Sequence, residues 1–136
     1  MLWEPKSVVA LATNDDAKCL QLYDIRAFED SLQCRLHVRS GPFSADAVAE
    51  FDNVGATVGV LRRIHADLAG ELRLGAAYQD TFVAFSVNRR GQLHVAGAII
   101  THSELTQRLE FAFVTDQTAL PPFIDGLERV LREDAG

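Results

Sequence analysis

Four histidines, two cysteines and nineteen acidic side chains are the groups in this 136-residue chain able to ligate a metal, attack an electrophile or carry a proton. A metal site needs ligands that converge on one point, and the spacings that achieve this locally, C-x-x-C, H-x-H and H-E-x-x-H, do not occur among His37, His65, His94, His102, Cys19 and Cys34. His37 and His94 fall on the polar phase of strand-like runs, His65 within a helical stretch and His102 in a turn, so all four are expected at the surface. Cys19 and Cys34 both lie in strand-like segments, where a thiol packs as a small apolar group; two buried free thiols are expected. The nucleophile elbow G-x-S-x-G, the P-loop and the dinucleotide-binding glycine motif are absent. No catalytic residue, metal or cofactor is expected.

Acid–base catalysis by two carboxylates requires two environments that drive their pKa values apart. The adjacent pairs Asp15-Asp16 and Glu29-Asp30 lie in turn-rich loops and share one environment each. Asp80, His94 and Glu104 have no spacing that recommends them as a site, and Arg89-Arg90 beside Gly91 reads as a solvated hairpin tip. Asp116 stands just ahead of a helical pattern, where its carboxylate, or the hydroxyl of Thr118, can accept backbone N–H bonds. What remains is charge. The formal net charge is −6, and residues 1–52 alone carry nine acids against five bases. Phosphate backbones repel such a surface, so nucleic-acid binding is not expected and a basic protein partner is. If the loops holding Asp15, Asp16, Asp24, Glu29 and Asp30 cluster, those five side chains form its docking patch.

The elements that must position these groups follow from periodicity. Residues 6–12 and 18–24 flank the turn formers Asn14-Asp15-Asp16, a hairpin signal, and a loop is expected from Ile25 to Ser31. Leu32, Cys34, Leu36 and Val38 alternate with Gln33, Arg35, His37 and Arg39, a half-buried strand. After Ser40-Gly41-Pro42, the spacing of Val48, Phe51, Val54, Val58, Leu61, Ile64 and Leu68 predicts one amphipathic helix over about 44–69, capped by Ser44 and closed by Gly70. Gly55 and Gly59 within it are expected to let a sheet approach closely. Residues 71–78, 81–88, 92–101 and 104–115 read as a meander with short turns at Gln79-Asp80, Arg89-Arg90-Gly91 and His102-Ser103. Leu120, Phe123, Ile124, Leu127, Val130 and Leu131 form the stripe of a second helix, with Pro121 and Pro122 in its first turn. No internal repeat is visible. The expected fold is α+β, one domain over 1–136 in the order β-β-β-α-β-β-β-β-α: a curved antiparallel sheet of about seven strands, two helices on one face and the other face free to meet a partner. No secretory pattern opens the chain and no apolar run approaches the ~20 residues that span a bilayer, so a cytoplasmic protein without membrane contact is expected. Nothing in the sequence fixes an oligomeric state.

Several segments resemble one family. They are Leu109-Glu110-Phe111 through Thr115-Asp116-Gln117-Thr118 and on from Leu120 to Leu127, a strand ending in Ser40-Gly41 with Phe43 after it, a helix through Phe51 and Leu61 to Leu68-Ala69-Gly70-Glu71, and Gly91 before Leu93-His94-Val95. Together they are similar to the WapI-type immunity proteins over about residues 18–131. The resemblance implies a protein encoded beside a polymorphic bacterial toxin. It would bind the C-terminal toxin domain and protect the producing cell, as an inhibitor without catalysis of its own. The alternative is a small-molecule-binding α+β module whose apolar pocket, between sheet and helix, is lined by Phe82, Phe85, Phe111 and Phe113.

Overall fold

A computed structural model describes residues 8–76 and 80–135. Residues 6 and 7 of the first expected strand, Ala77 and Tyr78 of the expected strand 71–78, and Gln79 of the turn after it lie outside the described residues. The fold is α+β and antiparallel, with two helices as expected, but its strands form two four-stranded sheets where one curved sheet was expected. The first holds β1 (Val9–Leu11), β2 (Lys18–Phe28), β3 (Ser31–Ser40) and β4 (Phe43–Phe51); α1 (Val54–Asp67) follows. The second holds β5 (Glu71–Gly75), β6 (Phe82–Val87), β7 (Gln92–His102) and β8 (Thr106–Asp116), and after one 3-10 turn comes α2 (Leu120–Ala135). The order β-β-β-β-α thus occurs twice, a repeat of topology that no repeat of side chains announces.

The largest departure from the sequence reading is β4. Residues expected to open a helix at Ser44 pair instead with β3, from Leu32 opposite Phe51 to Ser40 opposite Phe43. Ala45, Ala47, Ala49 and Phe51 point into the core, and Ser44, Asp46, Val48 and Glu50 point out. Alanine's helix preference hides this period of two, and pairing with a strongly alternating neighbour overrides it. β2 likewise runs four residues, Ile25 to Phe28, into the expected loop. A bulge between Tyr23 and Arg26, with Asp24 at φ 49°, lets an eleven-residue strand pair with a ten-residue one. β7 extends through His102, so the turn before β8 is Ser103 to Leu105.

One continuous core joins both sheets and both helices. Each helix covers the half of the molecule it does not follow. α2 packs across β1 and β2, where Gly126 admits Val9 within 3.1 Å of an added Cβ, and α1 lies against β5 and α2. Phe85 of β6 and Phe123 of α2, both fully buried, meet at 5.5 Å between ring centroids. Outside the core, Arg62 of α1 reaches Asp125 and Glu128 of α2 at 3.2 and 2.9 Å.

The start of α1 is held from a distance. Asn53, at φ 56°, makes no side-chain cap. Asp30 in the β2–β3 turn does so instead: its carbonyl accepts the Val54 N–H at 2.9 Å and its Oδ1 accepts the Gly55 N–H at 2.8 Å. A Cβ at Gly55 would lie 2.9 Å from that same oxygen, so the glycine makes room for a carboxylate, where close packing on a sheet was expected. Gly59 faces open space. α1 ends with Leu68 in the left-handed region, two residues before the glycine expected to close it. Asp116 caps the other C-terminal segment as expected, its Oδ1 accepting the Thr118 N–H at 2.9 Å.

Asp30→Ala is expected to cost about 1 kcal/mol in urea melts through loss of the cap. Gly55→Ala should destabilise the wild type yet stabilise the Asp30→Ala variant by up to ~1 kcal/mol, since only the carboxylate opposes alanine's helix preference; additive effects would show that the two residues do not meet. The Thr118 N–H, then its hydroxyl, hold the Asp116 carboxyl below its usual 3.8. The cap's stabilisation is therefore present above that ordinary value and lost as pH falls through the lowered one. Urea midpoints of wild type and Asp116→Asn should converge only at that acid end.

Candidate functional site

The five acids expected to form a docking patch are divided by β2 and β3. Asp15 and Asp16 stand exposed in the β1–β2 turn, beside the Lys18–Ser40 end of the ladder. Glu29 and Asp30 occupy the turn beyond its Phe28–Ser31 end, ten residue steps and roughly 30 Å away. Asp24 is exposed at the bulge between them. The turn at Asp15 is self-supporting: Oδ1 accepts the Ala17 N–H at 2.9 Å, and the Asp15 carbonyl accepts the Lys18 N–H at 2.9 Å. Asp30 is committed to α1, as described above. The ends of the strands also carry exposed aromatics, Phe28 beside Glu29 and Phe43 beside Gly41-Pro42, 77% and 62% exposed.

A cleft of about 510 Å³ opens between the two sheets at the Asp15 end. The Asp15–Lys18 turn and the Ser40–Phe43 hairpin form one wall, and residues 110–113 of β8 form the other. Phe111 and Phe113 stack at 6.5 Å in its floor. Two polar contacts tie the walls: the Ser40 hydroxyl donates to the Ala112 carbonyl at 3.1 Å, and the Lys18 ammonium donates to the Val114 carbonyl at 2.7 Å. A smaller trough of about 240 Å³ lies on the outer face of the second sheet, along Arg73, Ala84, His94 and Ala96. At its end the Arg73 guanidinium sits 3.9 Å from the centroid of the Phe82 ring.

The outer face of the first sheet carries a polar network. Arg35 binds Asp46 through Nε at 2.9 Å and Nη2 at 2.7 Å, and its Nε also donates to the Tyr23 hydroxyl at 3.2 Å. That hydroxyl donates in turn to Asp46 Oδ2, and His37 Nδ1 lies 3.6 Å from the same oxygen. The hydrogen bond to Asp46 holds the Tyr23 phenol above its usual range, since ionisation would break the bond and set two anions together; Arg35 opposes this. Chemically the network fixes a tyrosine and an arginine, two side chains that anchor interfaces well, on an open surface with exposed Val48 beside them. The sequence reading missed it because Asp46 had been assigned to a helix. The polar phase of three paired strands was the available signal, and it needs the register to be read.

Both cysteines are free: Cys34 is buried, which pushes its thiol up to about 12, and Cys19 is half-buried, on the outer face beside Arg39. Among the described residues no group of three or more His, Cys, Asp or Glu side chains is placed to hold a metal ion, and no helix is long and apolar enough to cross a membrane. The pocket left open in the sequence reading between sheet and helix is where Phe85 and Phe123 meet.

Ultraviolet titration on a Tyr78→Phe background checks the network. Tyr23 is expected to ionise above the ordinary tyrosine value of 10.0, and Asp46→Ala to lower its midpoint. An unmoved midpoint would remove the hydrogen bond from the account.

Comparison with known proteins adds three findings. No curated protein matches the chain. The solved structures described as crystal structures of trypanosoma bruciei MRP1/MRP2 include a chain that superposes with a TM-score of 0.55 at 12% identity, over 98% of this chain and 88% of that one. At that identity the likeness concerns the fold alone. The immunity protein WapI-like family matches residues 14–133, which takes in every strand after β1 and both helices up to the last turn of α2. The chain therefore belongs to the immunity protein WapI-like family.

Proposed function

We propose that the chain neutralises a cognate polymorphic-toxin domain, encoded beside it, by binding it one to one and covering its active cleft. The observation that carries this reading is the family match over residues 14–133. Inhibition by occlusion asks for a rigid surface and a complementary charge, and no catalytic group of the inhibitor takes part. A formal net charge of −6 suits a toxin domain with a basic surface. Steering falls to the exposed acids Asp15, Asp16, Asp24 and Glu29, whereas the fifth, Asp30, is held by α1. The division of these acids between two ends of a hairpin makes the Asp15-Asp16 end and the Glu29 end separable contributors.

Titrating the purified toxin domain with the chain tests the proposal. Toxin activity should fall linearly and vanish at one equivalent; activity that persists in excess chain would overturn it. Charge reversal then maps the steering. Asp15→Lys with Asp16→Lys is expected to slow association about tenfold and flatten its salt dependence, while stability falls by no more than about 1 kcal/mol through the lost bond from the Ala17 N–H to Asp15. Stopped-flow rates at two salt concentrations read this out, and an unchanged rate would take that end of the molecule out of the encounter.

A further inference from the structure

β8 is the last strand of the second sheet, and among the described residues no strand lies beside its outer edge. Along that edge, the Ala112 and Val114 carbonyls point outward, to Ser40 and Lys18. Residues two apart in a strand point the same way, so the backbone N–H and C=O groups of Arg108 and Glu110 point outward as well. Among the described residues no backbone hydrogen bond reaches these groups from outside the sheet. The open edge from Thr106 to Ala112 is six steps, roughly 20 Å long, and it runs into the cleft between the sheets. Exposed apolar side chains mark both ends: Leu105 in the turn before β8 is 74% exposed, and Phe43 at the cleft mouth 62%.

We propose that this edge accepts an extended segment of the toxin domain as a ninth strand, with an apolar side chain of that segment in the cleft beside Phe43 and its basic side chains against Asp15 and Asp16. The inference rests on the toxin-binding reading above and adds where and how the partner docks. Main-chain pairing supplies affinity along such an edge, and pockets for alternate side chains supply selectivity. Charge argues for a basic segment. The Arg108–Glu110 pair, at 2.9 Å, cancels within itself, and Lys18, held at the Val114 carbonyl, offsets one of the two carboxylates Asp15 and Asp16, so these groups together leave one negative charge at this end. The Arg108–Glu110 pair on the outer face also demands opposite charges from any strand laid beside it, which discriminates against casual edge pairing.

The test uses the full chain and the purified toxin domain. Glu110→Pro removes an outward N–H without touching the ladder to β7, as an edge strand permits, and Phe43→Ser empties the cleft mouth. Both are expected to weaken binding at least tenfold with circular dichroism and melting curves unchanged. Should the proline variant fail to fold, hydrogen exchange on the wild type decides: the Arg108, Glu110 and Ala112 amides should exchange quickly in the free chain and slowly in the complex. A complex that forms with wild-type affinity in the folded variants, or that leaves those amides unprotected, overturns the edge docking and spares the toxin-binding reading. Concentration-dependent protection of the same amides in the chain alone overturns it in favour of a second copy on the edge. A wild-type chain that fails to bind the toxin domain at all removes both proposals.

Discussion

Everything in this molecule depends on an exchange of covers. Each four-stranded sheet turns its main apolar face inward, although β7 also buries Ala98 and Ile100 on its other side, and the helix that follows each sheet in the chain lies chiefly over the other half. α2 presses on β1 and β2, closely enough that Gly126 is needed opposite Val9, and α1 lies along β5 and α2. Two half-buried sheets thereby become one core with Leu61, Phe85, Leu120 and Phe123 fully enclosed. Burial of this kind is the dominant favourable term in folding, and here neither half achieves it without the other.

The outer surface follows from that arrangement. With both helices on the inner faces, the outer face of the first sheet is left to Tyr23, Arg35, His37 and Asp46, and the seam between the sheets is left as a cleft. Acids therefore fall into two classes. Asp30, Asp46 and Asp116 are tied to specific donors, a helix start, an arginine and a capping turn. Asp16 and Glu29 stand exposed at turns, where charge influences approach more than stability.

Much of this was legible in the sequence, and the reasons for the rest are local. Alternation along 32–39 gave the β3 core face, the stripe from Leu120 to Val130 gave α2, and Asp116 was placed correctly as a cap because each signal is confined to one element. β4 was hidden because Ala45, Ala47 and Ala49 satisfy a helix as well as a strand, and that error took Asp46 away from Arg35. The split into two sheets depends on where β4 stops pairing, which no single segment encodes. The Asp30 cap joins residues 25 apart through a turn and a helix start, so Gly55 was legible as a close approach but its partner was not.

The exchange of covers also sets an order of events during synthesis. The inner face of β1 and β2, with Val9, Leu11, Leu20 and Leu22, is complete once Phe28 has left the ribosome, yet its cover begins at Leu120. Some ninety residues must emerge before that face is shielded. Pairings so distant in sequence form slowly, and uncovered apolar strands attract other chains in the interval. The last helix is thus the one that completes the first hairpin, and a nascent chain interrupted anywhere before α2 carries an open sheet rather than a smaller version of the protein.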